Sequence, residues 1–140
     1  VQEAETKIAA LAARGVRPRW NMIGHLQRNK AKRAVELFDV VHTVDDAALG
    51  RALDRHAAAR GVVLPVLVEI NVGGEATKSG VAPGDAAALL AALGACAALR
   101  VEGLMTMPPP GADAEAARPY FRQTRALLER FGARLARVDD

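Results

Sequence analysis

The run Val66-Leu67-Val68-Glu69-Ile70-Asn71, preceded by Pro65 and followed by Val72-Gly73-Gly74, restricts this chain more than any other stretch. Short runs of β-branched and aliphatic residues between turn residues form buried strands of parallel sheets. A parallel strand cannot return through a tight hairpin and needs a crossover, most often a helix. The run therefore points to an α/β fold. The loop after it offers what an anion site requires: Gly73 and Gly74 free backbone N–H groups, and Thr77, Lys78 and Ser79 are donors. In α/β sheets and barrels, ligands bind at that end of the strands. An ordinary polar loop with a solvated lysine fits the same residues, and the pattern G-x-x-x-x-G-K-[ST] is absent.

The rest of the chain repeats the same alternation. Val1, Ala4, Ile8, Leu11 and Ala12 fall at helical spacing, and Gly15 and Pro18 end that helix. Trp20–Gly24 is a strand, followed by a loop or first turn at His25–Lys30 and a helix through Ala31, Ala34, Val35 and Phe38. Val40–Val44 is the next strand, and Asp45-Asp46 supplies a cap for a helix that puts Leu49, Ala52, Leu53, His56 and Ala57 on one face. Pro83 and Asp85 open a helix carrying Ala86, Leu89, Leu90 and Leu93. Arg100–Met107 is the last strand. Pro108-Pro109-Pro110-Gly111 then forces an extended loop before a helix from Ala114 with Tyr120, Phe121, Thr124, Leu127, Leu128, Phe131 and Leu135 as its stripe.

The order is one helix and then four strand–helix units. Regular alternation of this kind gives a parallel sheet with right-handed crossovers. Two architectures satisfy it. One is a partial (β/α)8 TIM-type barrel, since a complete barrel takes roughly 250 residues. The other is an open doubly wound sheet, although its first strand lacks the G-x-G-x-x-G turn of a dinucleotide site.

Composition narrows the functional classes. With 51% hydrophobic and 25% charged residues and a net charge of +3, the chain is an ordinary globular one with weak electrostatic pull on nucleic acid. A single cysteine, Cys96, allows no internal disulfide and no thiolate cluster, which suits a reducing cytoplasm. No apolar run is long enough to span a membrane. His25, His42 and His56 have no metal-ligand spacing. Arg28, Lys30, Lys32 and Arg33 could touch phosphates of a nucleic acid, but no aromatic residues are interleaved for base stacking.

Three stretches carry a resemblance: Trp20–Lys30 (WNMIGHLQRNK), Val68–Val81 (VEINVGGEATKSGV) and Gly103–Pro109 (GLMTMPP), with His42-Thr43-Val44-Asp45 between the first two. Together with Ala117–Leu128 (ARPYFRQTRALL), they resemble the pyridoxal phosphate homeostasis proteins, whose fold is the alanine racemase N-terminal barrel. The resemblance covers the whole chain. It implies a non-catalytic carrier or buffer of pyridoxal 5'-phosphate (PLP), with PLP-dependent enzymes as partners. It also implies that residues 1–140 form a single partial barrel domain, a central segment truncated at both ends. The family's Schiff-base lysine lies on an earlier A-V-S-K-type strand, and its phosphate is gripped by later M-G-M-S and V-R-I-G segments. None of these occurs here, and none of Lys7, Lys30, Lys32 and Lys78 matches the Schiff-base position.

On this resemblance, the cofactor-binding candidates are Asn71, Lys78, Met105 and Ile23. Lys78 would face an anionic group over the barrel mouth. Asn71 would present its amide there, or else satisfy the backbone at a strand end. Met105 would pack on a planar ring, or else fill core space. Ile23 would form an apolar wall. Asn21 departs from the family, which usually has histidine at that place. A racemase-like enzyme is the other PLP-based reading, but the only tyrosine, Tyr120, falls within a helix.

Overall fold

The computed structural model describes residues 1–74, 78–132 and 135. Helix α1 spans Gln2–Ala13 and β1 Asn21–Met22. A short 3-10 turn at Arg28–Lys30 leads into α2, Ala31–Leu37. Then follow β2 (Val40–Val44), α3 (Ala47–Ala59), β3 (Leu64–Glu69), α4 (Ala86–Leu93), β4 (Leu99–Met105) and α5 (Ala114–Phe131). All the strand pairs are parallel, and the sheet order is β1-β2-β3-β4.

That order separates the two architectures. A doubly wound sheet reverses direction at a switch point, so its strand order in space departs from the order in sequence. Here each strand pairs with the next one made, as in the wall of a (β/α)8 barrel. The chain forms an arc of such a wall.

Alternation along the strands decides which face is covered. Val41, Val66, Val68 and Ile70 are fully buried on the face that packs under α2, α3 and α4, together with Leu49, Leu53 and Leu93. Asn21, His42, Pro65, Leu67, Arg100 and Glu102 are half-buried or exposed. Polar pairs form among them: Asn21 Oδ1 lies 3.2 Å from His42 Nε2, and Arg100 donates to Glu102 Oε1 from Nη2 at 2.6 Å. Helix α3 fits closely against α4 because of Gly50, where a Cβ would lie 2.2 Å from Leu93 Cδ2. Asp46 caps α3 by accepting from the N–H groups of Ala48 and Leu49 at 2.6 and 2.8 Å.

Three expectations change. The first strand is only Asn21–Met22, because Trp20 bonds outside the ladder: its N–H donates to Asp39 Oδ2 and its carbonyl accepts from Asp39 and Val40. Pro65 lies inside β3 rather than before it. Leu64 N–H donates to Ala98 on the β4 side, so the missing Pro65 donor points toward β2, whose pairing with β3 begins only at Val66. In α5 the buried residues are Ala117, Leu127 and Phe131, whereas Phe121 and Leu128 are exposed.

Leu53 is fully buried in the core. Leu53→Ala is expected to cost about 2–5 kcal/mol. Chemical denaturation checks this as a lower midpoint at unchanged slope.

Candidate functional site

A cleft of about 600 Å³ opens at the C-terminal ends of the strands. Each wall comes from a different connection. His25 stands on the loop after β1; Glu69 ends β3 and Ile70 and Asn71 follow it; Lys78 and Ser79 belong to the loop toward α4. Met107, Pro108 and Pro110 cover it from the loop after β4. The cleft joins apolar walls to an amine, an imidazole, an amide, a hydroxyl and a carboxyl.

The loop after β3 is tied back onto the strand that launches it. Asn71 N–H donates to the Val81 carbonyl at 2.9 Å, and Val81 N–H donates to the Glu69 carbonyl at 2.8 Å. These bonds make an isolated parallel bridge between Ile70 and Val81. The Asn71 side-chain amide lies 3.5 Å from the Lys78 carbonyl, and Gly80 N–H donates to Asp45 Oδ2 at 3.2 Å. Only glycine suits position 80: its φ is +106°, and a Cβ would stand 2.8 Å from Asn71 N and 3.1 Å from the Ile70 carbonyl carbon. Both atoms are backbone and cannot move aside.

Glu69 is the unusual residue of the cleft. It ends a central strand and is 5% exposed. Ser79 Oγ donates to its Oε1 at 3.1 Å, while Oε2 is buried with no hydrogen-bond partner among the described residues. Burial pushes its carboxyl above the usual carboxylate range; the Ser79 hydrogen bond opposes this, the charge of Asp45 adds to it and His25 counters it. His25 Nδ1 lies 4.0 Å from Asp45 Oδ2. Among the described residues, no group of three or more His, Cys, Asp or Glu side chains could hold a metal ion.

Sequence comparison places this geometry. The family profile described as alanine racemase, N-terminal domain, matches residues 1–139. The chain belongs to that family. It is 38% identical over 110 residues to the pyridoxal phosphate homeostasis protein of Aquifex aeolicus, covering 79% of this chain and 48% of that protein. It is 39% identical over 128 residues to that of Pseudomonas aeruginosa, covering 91% of this chain and 55% of the relative. The chain thus spans about half the length of the curated relatives it matches. Among solved structures, PipY of Synechococcus elongatus with PLP bound superposes with a TM-score of 0.82 at 33% identity, over 96% of this chain and 63% of PipY. Alanine racemase of Clostridium difficile gives 0.69 at 14% identity, over 94% of this chain and 35% of that one, a likeness of fold alone.

Of the four candidates read from the sequence, Asn71 and Lys78 line the cleft. Met105 ends β4 in register with Glu69 and is not among the residues that line the cleft. Ile23 follows β1, is 61% exposed and is not among the residues that line the cleft. Thr77 lies outside the described residues. Sequence reasoning missed Glu69, His25 and Asp45; for Glu69 the available signal was a charged residue within an otherwise apolar strand, while His25 and Asp45 stand on loops that the sheet brings together. In the basic cluster, Arg33 is already paired with Glu5 and Glu36.

Two outcomes follow from this geometry. Gly80→Ala is expected to displace the Lys78–Val81 segment and to increase amide exchange at Asn71 and Val81 well above the wild-type rate, while exchange in β2 stays slow. Glu69→Gln tests the buried carboxyl. Unfolded, Glu69 titrates near about 4.3; folded, it keeps its proton to higher pH. The folded state therefore binds more protons between the two values, and wild-type stability falls as pH rises through that window. Glu69→Gln removes this slope, so the melting temperatures of variant and wild type should diverge from acid toward neutral pH, the variant becoming the more stable.

Proposed function

We propose that the chain forms one wall of a PLP site in a protein of cofactor homeostasis, a non-catalytic carrier that holds PLP for PLP-dependent enzymes in the cytoplasm. The observation that carries this reading is the cleft at the strand ends, in a fold whose relative PipY was solved with PLP bound. The curated relatives bear the name of pyridoxal phosphate homeostasis proteins. Among the described residues, no helix is long and apolar enough to cross a membrane.

The residues present fit such a ligand. Met107, Pro108 and Pro110 give apolar cover suited to a flat ring, and Oε2 of Glu69, which has no partner among the described residues, is a buried polar atom that a ligand would satisfy. Lys78 supplies positive charge for an anionic oxygen, and Asn71 holds the Lys78 backbone in place. Met105 stands beside Glu69 in register on the adjacent strand. When bound, PLP contributes an aldehyde and an electron-poor ring. The chain's own residues bind it, orient it and limit water at its edge.

Titration of the intact protein with PLP, followed by visible absorbance and then by borohydride trapping and peptide mapping, tests this. A saturable, stoichiometric change is expected, with the trapped label on a lysine other than Lys78. Lys78→Ala should weaken affinity about tenfold, the scale of one hydrogen bond to a charged group. An intact protein that shows no saturable change would remove the cofactor from this reading.

A further inference from the structure

Glu69 is a charged residue type enclosed at the end of the central strand, half satisfied and half not. Ser79 fills the acceptor role of Oε1, and the buried Oε2 has no partner among the described residues. Both Glu69 and Ser79 line the cleft. Leaving one oxygen of a buried carboxyl unsatisfied is unfavourable, and a hydrogen-bonding group bound in the cleft would relieve that cost.

The surroundings decide which form of the carboxyl is held. Among the described residues, the charged groups acting on it are Asp45 from the loop after β2 and His25 from the loop after β1, and Lys78 from the loop after β3 shares the cleft. From the β4 side come Met105 and Thr106, neither of which ionises, and the Thr106 hydroxyl donates to the Ile70 carbonyl at 3.0 Å. No described cation makes a salt bridge to Glu69, and Asp45 repels a second negative charge. A buried carboxylate without a paired cation is costly, whereas the neutral acid needs only hydrogen bonds. With Oε1 occupied as acceptor of the Ser79 hydroxyl, the proton belongs on Oε2.

We propose that Glu69 acts as a neutral carboxylic acid whose Oε2–H donates to an anionic oxygen of the bound ligand, with Ser79 fixing the orientation of the carboxyl and Lys78 supplying the positive charge. This rests on the PLP reading of the cleft and adds to it a ligand-contacting residue and the direction of its hydrogen bond. The same donor serves a phosphate oxygen or a ring phenolate oxygen, which share the chemistry of an anionic acceptor. No proton is transferred in this step.

The intact protein, Glu69→Ala and Glu69→Gln are compared by calorimetric titration with PLP, pyridoxal and inorganic phosphate, from mildly acidic to mildly alkaline pH. Infrared spectra are recorded for the band of a protonated carboxyl. Glu69→Ala should bind PLP about tenfold more weakly or worse. Glu69→Gln, which keeps Oε1 for Ser79 and turns an N–H donor into the cleft, should restore most of that loss. Wild-type affinity should fall relative to Glu69→Gln as pH rises, because ionisation removes the donor. The protonated-carboxyl band should be present in the wild type, shift with ligand and be missing from both variants.

A penalty in Glu69→Ala that persists with inorganic phosphate identifies the phosphate oxygen as acceptor; one that persists with pyridoxal identifies the ring oxygen. Either supports the donor role. If Glu69→Ala does not fold, the infrared band and the pH profile of Glu69→Gln still decide. Binding by the wild type with no such band, or with Glu69→Gln as weak as Glu69→Ala, overturns the donor role and leaves the cofactor reading standing. Failure of the wild type to bind any of the three compounds removes both.

Discussion

The hydrogen-bond ladders on the two sides of β3 hold the rest in place. This strand pairs with β2 and with β4, and its Val66, Val68 and Ile70 are fully buried beneath the helices. Those valines fix the register, because a slip by one residue would turn them out and bring Pro65 and Leu67 in. Once the register is fixed, the strand must end with Glu69 at the edge of the cleft and Ile70 against Val81. The site is a consequence of how β3 is buried.

Electrostatics at the strand ends follow from the same placement. Glu69, Asp45 and His25 come from three separate parts of the chain, and the sheet gathers them because parallel strands present all their C-terminal ends on one side. The loop after β3 uses backbone bonds for its shape, chiefly those joining Asn71, Val81 and Glu69. Side chains are thereby left to line the cleft. Gly80 is what allows the backbone to pass so near Asn71.

Much of this could be read from the residues, and the failures have physical causes. The strand Val40–Val44 and the capping of α3 by Asp46 followed from local pattern alone, since both depend on residues adjacent in sequence. Asp45 did not: its partner is Gly80, which only the folded sheet brings near. Ile23 looked like part of the strand before it, but the ladder ends at Met22 and Gly24 turns the chain at a φ of +95°. Phe121 and Leu128 share helical spacing with buried residues, yet periodicity cannot show how wide a stripe the neighbouring elements cover. Lys78 was visible as a cation near a strand end. The state of Glu69 was not, because it depends on Ser79 and on enclosure.

The strand order has a consequence for how the molecule is assembled. Every ladder among the described strands joins strands that follow one another along the chain, so each of these pairs forms as soon as its second strand is made. Closing a loop of this modest length carries a smaller entropic barrier than bringing distant ends together. Synthesis from the N-terminus can therefore add one strand–helix unit at a time to an edge already in place. The edge that receives each new strand is the feature that would otherwise invite pairing with a foreign chain. Growth in this order shortens that exposure for each edge that the next strand covers, as β2 and β3 are covered here.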